Sequence, residues 1–165
     1  METISSSVES MDLIEFLHQY LDYMVIGVLG FMSFLMLAFS IERYFYYRRV
    51  RLASFNHIEL LKSDLTNNLT VISSVAANAP YVGLLGTVIG ILLTFNTMGQ
   101  DGNMDVGKIM VGLAMALKAT AAGLLVAIPA ILFYNALMRR VDVLVSQWVA
   151  DQDSQAQGIR SDERG

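Results

Sequence analysis

Three long apolar runs that share a single charge constrain this 165-residue chain more than any other feature. Tyr23 to Ile41 and Ala79 to Met98 carry no charge, and from Ile109 to Met138 the only charge is Lys118. About 20 predominantly apolar residues in a helix cross the hydrocarbon core of a bilayer, and each run meets that length. Because the bilayer interior offers no water to backbone amides, each run must satisfy its own hydrogen bonds as a helix. Composition agrees, with 55% hydrophobic and 16% charged residues and a mean hydropathy of +0.51, far from the average soluble domain. The net charge of -4 supplies no basic surface for phosphates, so no nucleic-acid partner is expected. The absence of cysteine removes disulfides and thiolate chemistry, and His18 and His57 are too separated to suggest a metal site.

Lysine and arginine set the expected topology. None precedes the first run, whereas Arg43, Arg48, Arg49, Arg51 and Lys62 follow it, and Arg139 and Arg140 follow the third. Cytoplasmic loops carry this excess, so the N-terminus is expected outside and the C-terminus inside. The first run follows an acidic segment and precedes no small-residue cleavage site, which reads as an uncleaved anchor rather than a signal peptide. The expected organisation is an interfacial segment at 1–22, spans at 23–41, 79–98 and 109–135, a cytoplasmic helical loop at 42–78 and a short outer loop at 99–108. A cytoplasmic helix at 136–150 and a disordered polar tail at 151–165 complete it. Pro80 is read as the first turn of the second span, where a missing donor costs nothing.

Two stripes outside the spans predict cytoplasmic helices that pack on each other. Leu61, Leu65, Leu69, Ile72 and Val75 recur at helical spacing in the loop, and Leu137, Val141, Leu144, Val145 and Trp148 recur beyond the third span. Leu13, Phe16, Leu17, Tyr20 and Leu21 make a similar face ahead of the first span. The aromatic group Tyr44 to Tyr47 reads as an interfacial belt, with Glu42 and Arg43 marking the inner boundary.

The second and third spans are rich in small residues: Gly83, Gly86 and Gly90 in one, Gly112, Ala116, Ala119 and Gly123 in the other. Lipid does not require such a composition, but close helix packing does. Thr87 and Thr120 place hydroxyls inside these spans, where they can bond a preceding carbonyl, bridge to a neighbouring helix or line a wet passage. Lys118 is costly in a span and is expected to face a protein interior, a carboxylate or water, or to snorkel. Pro129 removes a donor inside the third span and is expected to bend or loosen it. No phosphate-cradling loop, nucleophile elbow or paired carboxylates appear, so neither an enzyme nor a cofactor is expected.

The segment from Ala79-Pro80-Tyr81-Val82-Gly83 through Leu84-Leu85-Gly86-Thr87-Val88-Ile89-Gly90 resembles the second-span signature of the MotA/TolQ/ExbB proton-channel family. Ala119-Thr120-Ala121-Ala122-Gly123 through Pro129-Ala130, followed by Tyr134-Asn135, is similar to that family's last span. The resemblance is strong over residues 79 to 140. It implies an all-α inner-membrane protein with three spans, long cytoplasmic helical extensions and a homopentameric bundle around a central pore. It also implies an ExbD-type single-span partner and a periplasm-spanning TonB-type protein, with proton flow driving outer-membrane transport, iron-siderophore or cobalamin uptake foremost. By the family pattern Thr87 and Thr120 line the proton pathway near the partner's aspartate. The family's third-span glutamate is replaced by Met115, and Lys118 stands where family members are usually apolar. The short cytoplasmic loop resembles the ExbB branch more than MotA, with a TolQ-like envelope motor or a non-conducting scaffold as the alternatives.

Overall fold

The protein was analysed as a computed structural model that describes the backbone of residues 2–101 and 106–162. Within these it describes all side chains but those of residues 2–19, 21, 22, 53, 97, 98, 100, 101, 108 and 159–162. Helix α1 runs Glu2–Arg49, a 3-10 turn covers Leu52–Ser54, and α2 (Ile58–Thr66), α3 (Leu69–Asp101) and α4 (Val106–Asp162) follow. Three stretches within the long helices, Tyr23–Arg49, Leu69–Asn96 and Ile109–Gly158, are long and apolar enough to cross a membrane.

Three sequence expectations change. Pro80 lies inside α3, not at its start, because that helix begins at Leu69. Asn68 takes a left-handed backbone, with φ of 63°, and its carbonyl accepts the Val71 amide, so the turn before α3 falls there. The helix then continues through Pro80 because Leu69, Ile72, Val75 and Ala79 stay buried along one face. Giving up that face would cost more than the one amide hydrogen bond that Pro80 cannot donate. The tail expected to be disordered from Asp151 continues as helix to Asp162, since a helix already nucleated extends through polar residues at little cost. Of the loop expected at 99–108, residues 99–101 belong to α3 and 106–108 to α4, and residues 102–105 lie outside the described residues. The stripe Leu13, Phe16, Leu17 and Leu21 belongs to α1 itself, and its side chains lie outside the described residues.

The chain forms two compact units: residues 1–34 with 75–129, and residues 35–74 with 130–165. In the first, Val25 and Leu29 of α1 meet Ala79 of α3 and Ala119 and Ala127 of α4, with Met32, Val82, Ala122 and Val126 around them. Many large apolar residues stay exposed there, Phe31, Tyr81, Leu92 and Leu125 among them. A surface of that kind suits lipid or further helices rather than water.

The second unit has a core of larger residues. Leu61, Leu65 and Ile72 are fully buried, joined by Leu69, Leu137 and Val141. Both stripes read from the sequence outside the spans therefore supply this core, with Leu144, Val145 and Trp148 partly covered. Trp148 donates its indole N–H to the Phe55 carbonyl at 3.1 Å, which holds α4 to the chain between the 3-10 turn and α2.

Candidate functional site

In the first unit α3 and α4 approach closely along a seam of small residues. A Cβ on Gly83 would lie 2.6 Å from the Ala119 carbonyl oxygen, and one on Gly123 would lie 2.7 Å from the Ala79 carbonyl oxygen. The two contacts are reciprocal: each glycine faces the carbonyl four residues before the other glycine. Backbone at this range leaves room for hydrogen only and allows weak Cα–H···O contacts across the seam. Gly86 and Gly90 continue it towards the C-terminal end of α3, where added Cβ atoms would meet the Ala119 and Ala116 methyls at 2.8 and 2.9 Å. Gly112 lies against the Thr94 side chain.

The close approach brings two hydroxyls together. Thr87 Oγ1 lies 3.2 Å from the Gly83 carbonyl and 3.1 Å from the Ala116 carbonyl of the facing helix. The Thr87 and Thr120 hydroxyls are hydrogen-bonded to each other, and Thr120 Oγ1 is 3.4 Å from the Gly83 carbonyl. Two hydroxyl protons are thus shared among two carbonyls and the hydroxyls themselves. Thr87 can donate to a carbonyl while Thr120 donates to Thr87, or Thr120 can donate to Gly83 while Thr87 donates to Thr120. Reversing the direction of the pair requires only hydroxyl rotation. Thr87 is 7% exposed and Thr120 only partly covered, so the pair reaches the surface of the single chain through Thr120.

The seam therefore gathers Thr87, Thr120, Gly83, Gly86, Gly90, Ala116, Ala119 and Gly123, all singled out from the sequence. Thr94 joins them unforeseen, buried and donating to the Gly90 carbonyl at 2.8 Å. Its place two helical turns after Thr87 was the available signal. Lys118 and Met115 are not in the seam. Both are exposed, and two residues of helix turn Lys118 roughly 160° away from Thr120. Among the described residues Lys118 forms no ion pair, the one pair being Arg43 with Glu42 at 3.8 Å. Pro129 is half-buried within α4, which runs on through it.

A second polar group, in the other unit, was missed as a cluster. Arg43 is 4% exposed; it donates from Nη1 to the Asp64 carbonyl at 3.1 Å and lies over the Tyr46 ring at 5.0 Å. Tyr46 donates to the Asp64 carboxylate and Tyr47 to the Leu65 carbonyl at 2.6 Å. Asn68 donates to Glu42 at 3.3 Å. Since α2 ends at Thr66, the Asp64 and Leu65 carbonyls belong to its last turn and lack intrahelical donors. Residues of α1 thus cap α2, and the guanidinium opposes the negative end of its dipole. Arg43, Tyr46 and Tyr47 are packed structure here, whereas Tyr44 and Phe45 are exposed. Among the described residues no cluster of metal-binding side chains is found.

Three apolar helices among the described residues, two of them closed on each other over a hydrogen-bonded pair of threonine hydroxyls, define a polytopic helical membrane protein. Residues 42–150 match the profile of the MotA/TolQ/ExbB proton channel family, and the chain belongs to that family. It is 54% identical over 128 residues to the biopolymer transport protein ExbB of Helicobacter pylori strain J99, covering 78% of this chain and 88% of the relative. It is 49% identical over 138 residues to ExbB of Aquifex aeolicus, covering 84% and 93%. A third relative, the putative biopolymer transport protein ExbB-like 2 of Helicobacter pylori strain 26695, is 45% identical over 130 residues, covering 79% and 87%. The chain is accordingly an integral protein of a bacterial inner membrane.

Proposed function

We propose that this chain is the channel subunit of a proton-driven energiser that, with an ExbD-type single-span partner, powers a TonB-type protein and through it transport across the outer membrane. The observation that carries the reading is the Thr87–Thr120 hydroxyl pair, set in a chain similar to ExbB proteins over most of its length. A hydroxyl pair that can reverse its donor direction supports proton hopping when water or a carboxylate reaches it. In the working assembly several copies, five by the family pattern, surround the partner helix, and Thr120 opens onto its carboxylate. The N-terminus lies on the periplasmic side and the arginine-rich ends of α1 and of the third span face the cytoplasm.

Thr87→Val and Thr120→Val keep shape while removing the hydroxyls. Span hydrogen bonds are worth about 0.6 to 1.7 kcal/mol, so both variants are expected to accumulate and assemble. Iron-limited growth and TonB-dependent uptake in a deletion strain should fall at least about ten-fold with either variant, since a broken relay cannot be bypassed by an apolar side chain. Normal uptake with valine at both positions would reduce the pair to a packing device.

A further inference from the structure

The faces that α3 and α4 turn to each other carry little shape. Gly83, Gly86 and Gly90 on one side and Ala116, Ala119 and Gly123 on the other recur at intervals of three and four residues, which is close to one helical turn. Two such surfaces still fit after sliding past each other by a turn, about 5.4 Å. That slide would undo the hydroxyl pair, because Ala116, Leu117, Gly123 and Leu124, one turn either side of Thr120, carry no hydroxyl. The pair itself is a weak clamp, since Thr87 keeps the Gly83 carbonyl of its own helix as an alternative partner. Small residues explain why the helices approach, but not why they stop where Thr87 meets Thr120.

Thr94 and Gly112 supply the missing shape. Thr94 is 6% exposed, and its hydroxyl donates to the Gly90 carbonyl one turn back at 2.8 Å. That bond fixes the side chain about its Cα–Cβ axis. Both branches then press on one point of α4: a Cβ added to Gly112 would lie 2.5 Å from Oγ1, 2.5 Å from Cγ2 and 3.1 Å from the Thr94 Cβ. The branched side chain occupies the notch that the glycine leaves. One turn either side of Gly112 stand Lys108, Ile109, Met115 and Ala116, none of them glycine. A slide by a turn in either direction therefore closes the notch against Thr94. The contact lies about two turns from the hydroxyl pair on both helices, near enough for stiff helices to carry an axial setting from one to the other.

We infer that Thr94 is a positioning residue, whose branched side chain seated over Gly112 sets the axial register of α3 and α4 at which the Thr87 and Thr120 hydroxyls meet. Its effect on transport rests on the proposed relay, whereas its effect on helix docking does not.

Gly112→Ala, the double variant Gly112→Ala with Thr94→Ala, and Thr94→Val test this in the full-length chain. Each is read as assembled protein on native gels and as TonB-dependent uptake in the deletion strain. Gly112→Ala alone should cut uptake at least about ten-fold, because its methyl meets two atoms of a side chain that has no room to turn. Adding Thr94→Ala leaves two methyls 3.1 Å apart, which a small shift relieves, and should return uptake to within about two-fold of wild type. Normal uptake in Gly112→Ala, or a loss that Thr94→Ala does not relieve, would overturn the inference. Should Gly112→Ala fail to accumulate, the same exchange is read on the gels: recovery in the double variant supports the contact, and continued absence overturns it. Thr94→Val keeps the branched shape without the hydroxyl and should hold uptake within about two-fold of wild type. A loss as deep as that of Gly112→Ala would mean that the hydroxyl acts and the shape does not. If Thr87→Val and Thr120→Val transport normally, the relay reading fails by itself. A loss of assembled protein in Gly112→Ala that Thr94→Ala reverses would still support the register contact.

Discussion

The two units of this protein solve the same packing problem with opposite materials. Along the α3–α4 seam the residues are glycine, alanine and threonine, and stability comes from backbone brought within a hydrogen's width. In the other unit the residues are leucine, isoleucine, arginine and tyrosine, and stability comes from volume filled and from helix-end carbonyls capped by side chains. In the proposed topology, solvent accounts for the difference. Within lipid, apolar burial gains little because lipid tails are as apolar as leucine, so close contact and interhelical hydrogen bonds dominate. Next to water, burying leucine is worth about 2 kcal/mol, and large side chains are the better choice.

This contrast can be broken in order of effect. Gly83→Val should be the most damaging change, because even its Cβ would lie 2.6 Å from a backbone oxygen that cannot swing aside. The helices must separate, and the Thr87–Thr120 bond goes with them. Little correctly assembled protein is expected on native gels, while recovery at wild-type levels would show that the seam is soft. Arg43→Met comes next. It removes a cap from α2 together with a charge that has few partners, for a net loss of about 2 kcal/mol. The single tryptophan, Trp148, belongs to the same unit, so a lowered midpoint of its fluorescence transition in detergent would report this loss. An unchanged midpoint would mean that the cost of burying the guanidinium cancels its bonds.

Tyr47→Phe deletes the hydroxyl that meets the Leu65 carbonyl and should cost about 1 kcal/mol by the same measurement. Ser40→Ala should have the smallest effect, and of the opposite sign. Ser40 is 4% exposed and its hydroxyl finds no hydrogen-bond partner among the described residues, so replacing it with a hydrogen should leave the midpoint unchanged or raise it slightly. A drop as large as that of Tyr47→Phe would mean that the hydroxyl is satisfied in the assembled protein. Together these variants ask whether the polar cluster of the second unit contributes through its bonds, through its packing, or through both.

Several elements are legible in the order of the amino acids alone. The three spans follow from desolvation, because an uncharged run of that length has no other favourable place. The loop and post-span stripes follow from periodicity, and all of Leu61, Leu65, Leu69, Ile72, Leu137 and Val141 are buried as those stripes require. Pro80 misled because a proline ahead of an apolar run looks like a helix start. Whether the helix extends backwards depends on the left-handed turn at Asn68 and on a buried face whose far wall is not local in sequence. Arg43 misled for a related reason. An arginine at the end of a span reads as an interface marker, and only the arrival of the α2 C-terminus turns it into a buried cap.

What the sequence by itself determined is chemistry and period: which stretches must leave water, which residues are small enough for close contact, and which hydroxyls and charges lie within the spans. Those depend on each residue's own transfer energy and on helical spacing, both of which are local. The tertiary structure decided partnership. Thr87 and Thr120 are 33 positions apart, and Val25, Gly86 and Ala119 are brought to one depth from three different helices. Such pairings follow from how backbones dock, and docking is a property of surfaces that exist only after the helices have formed.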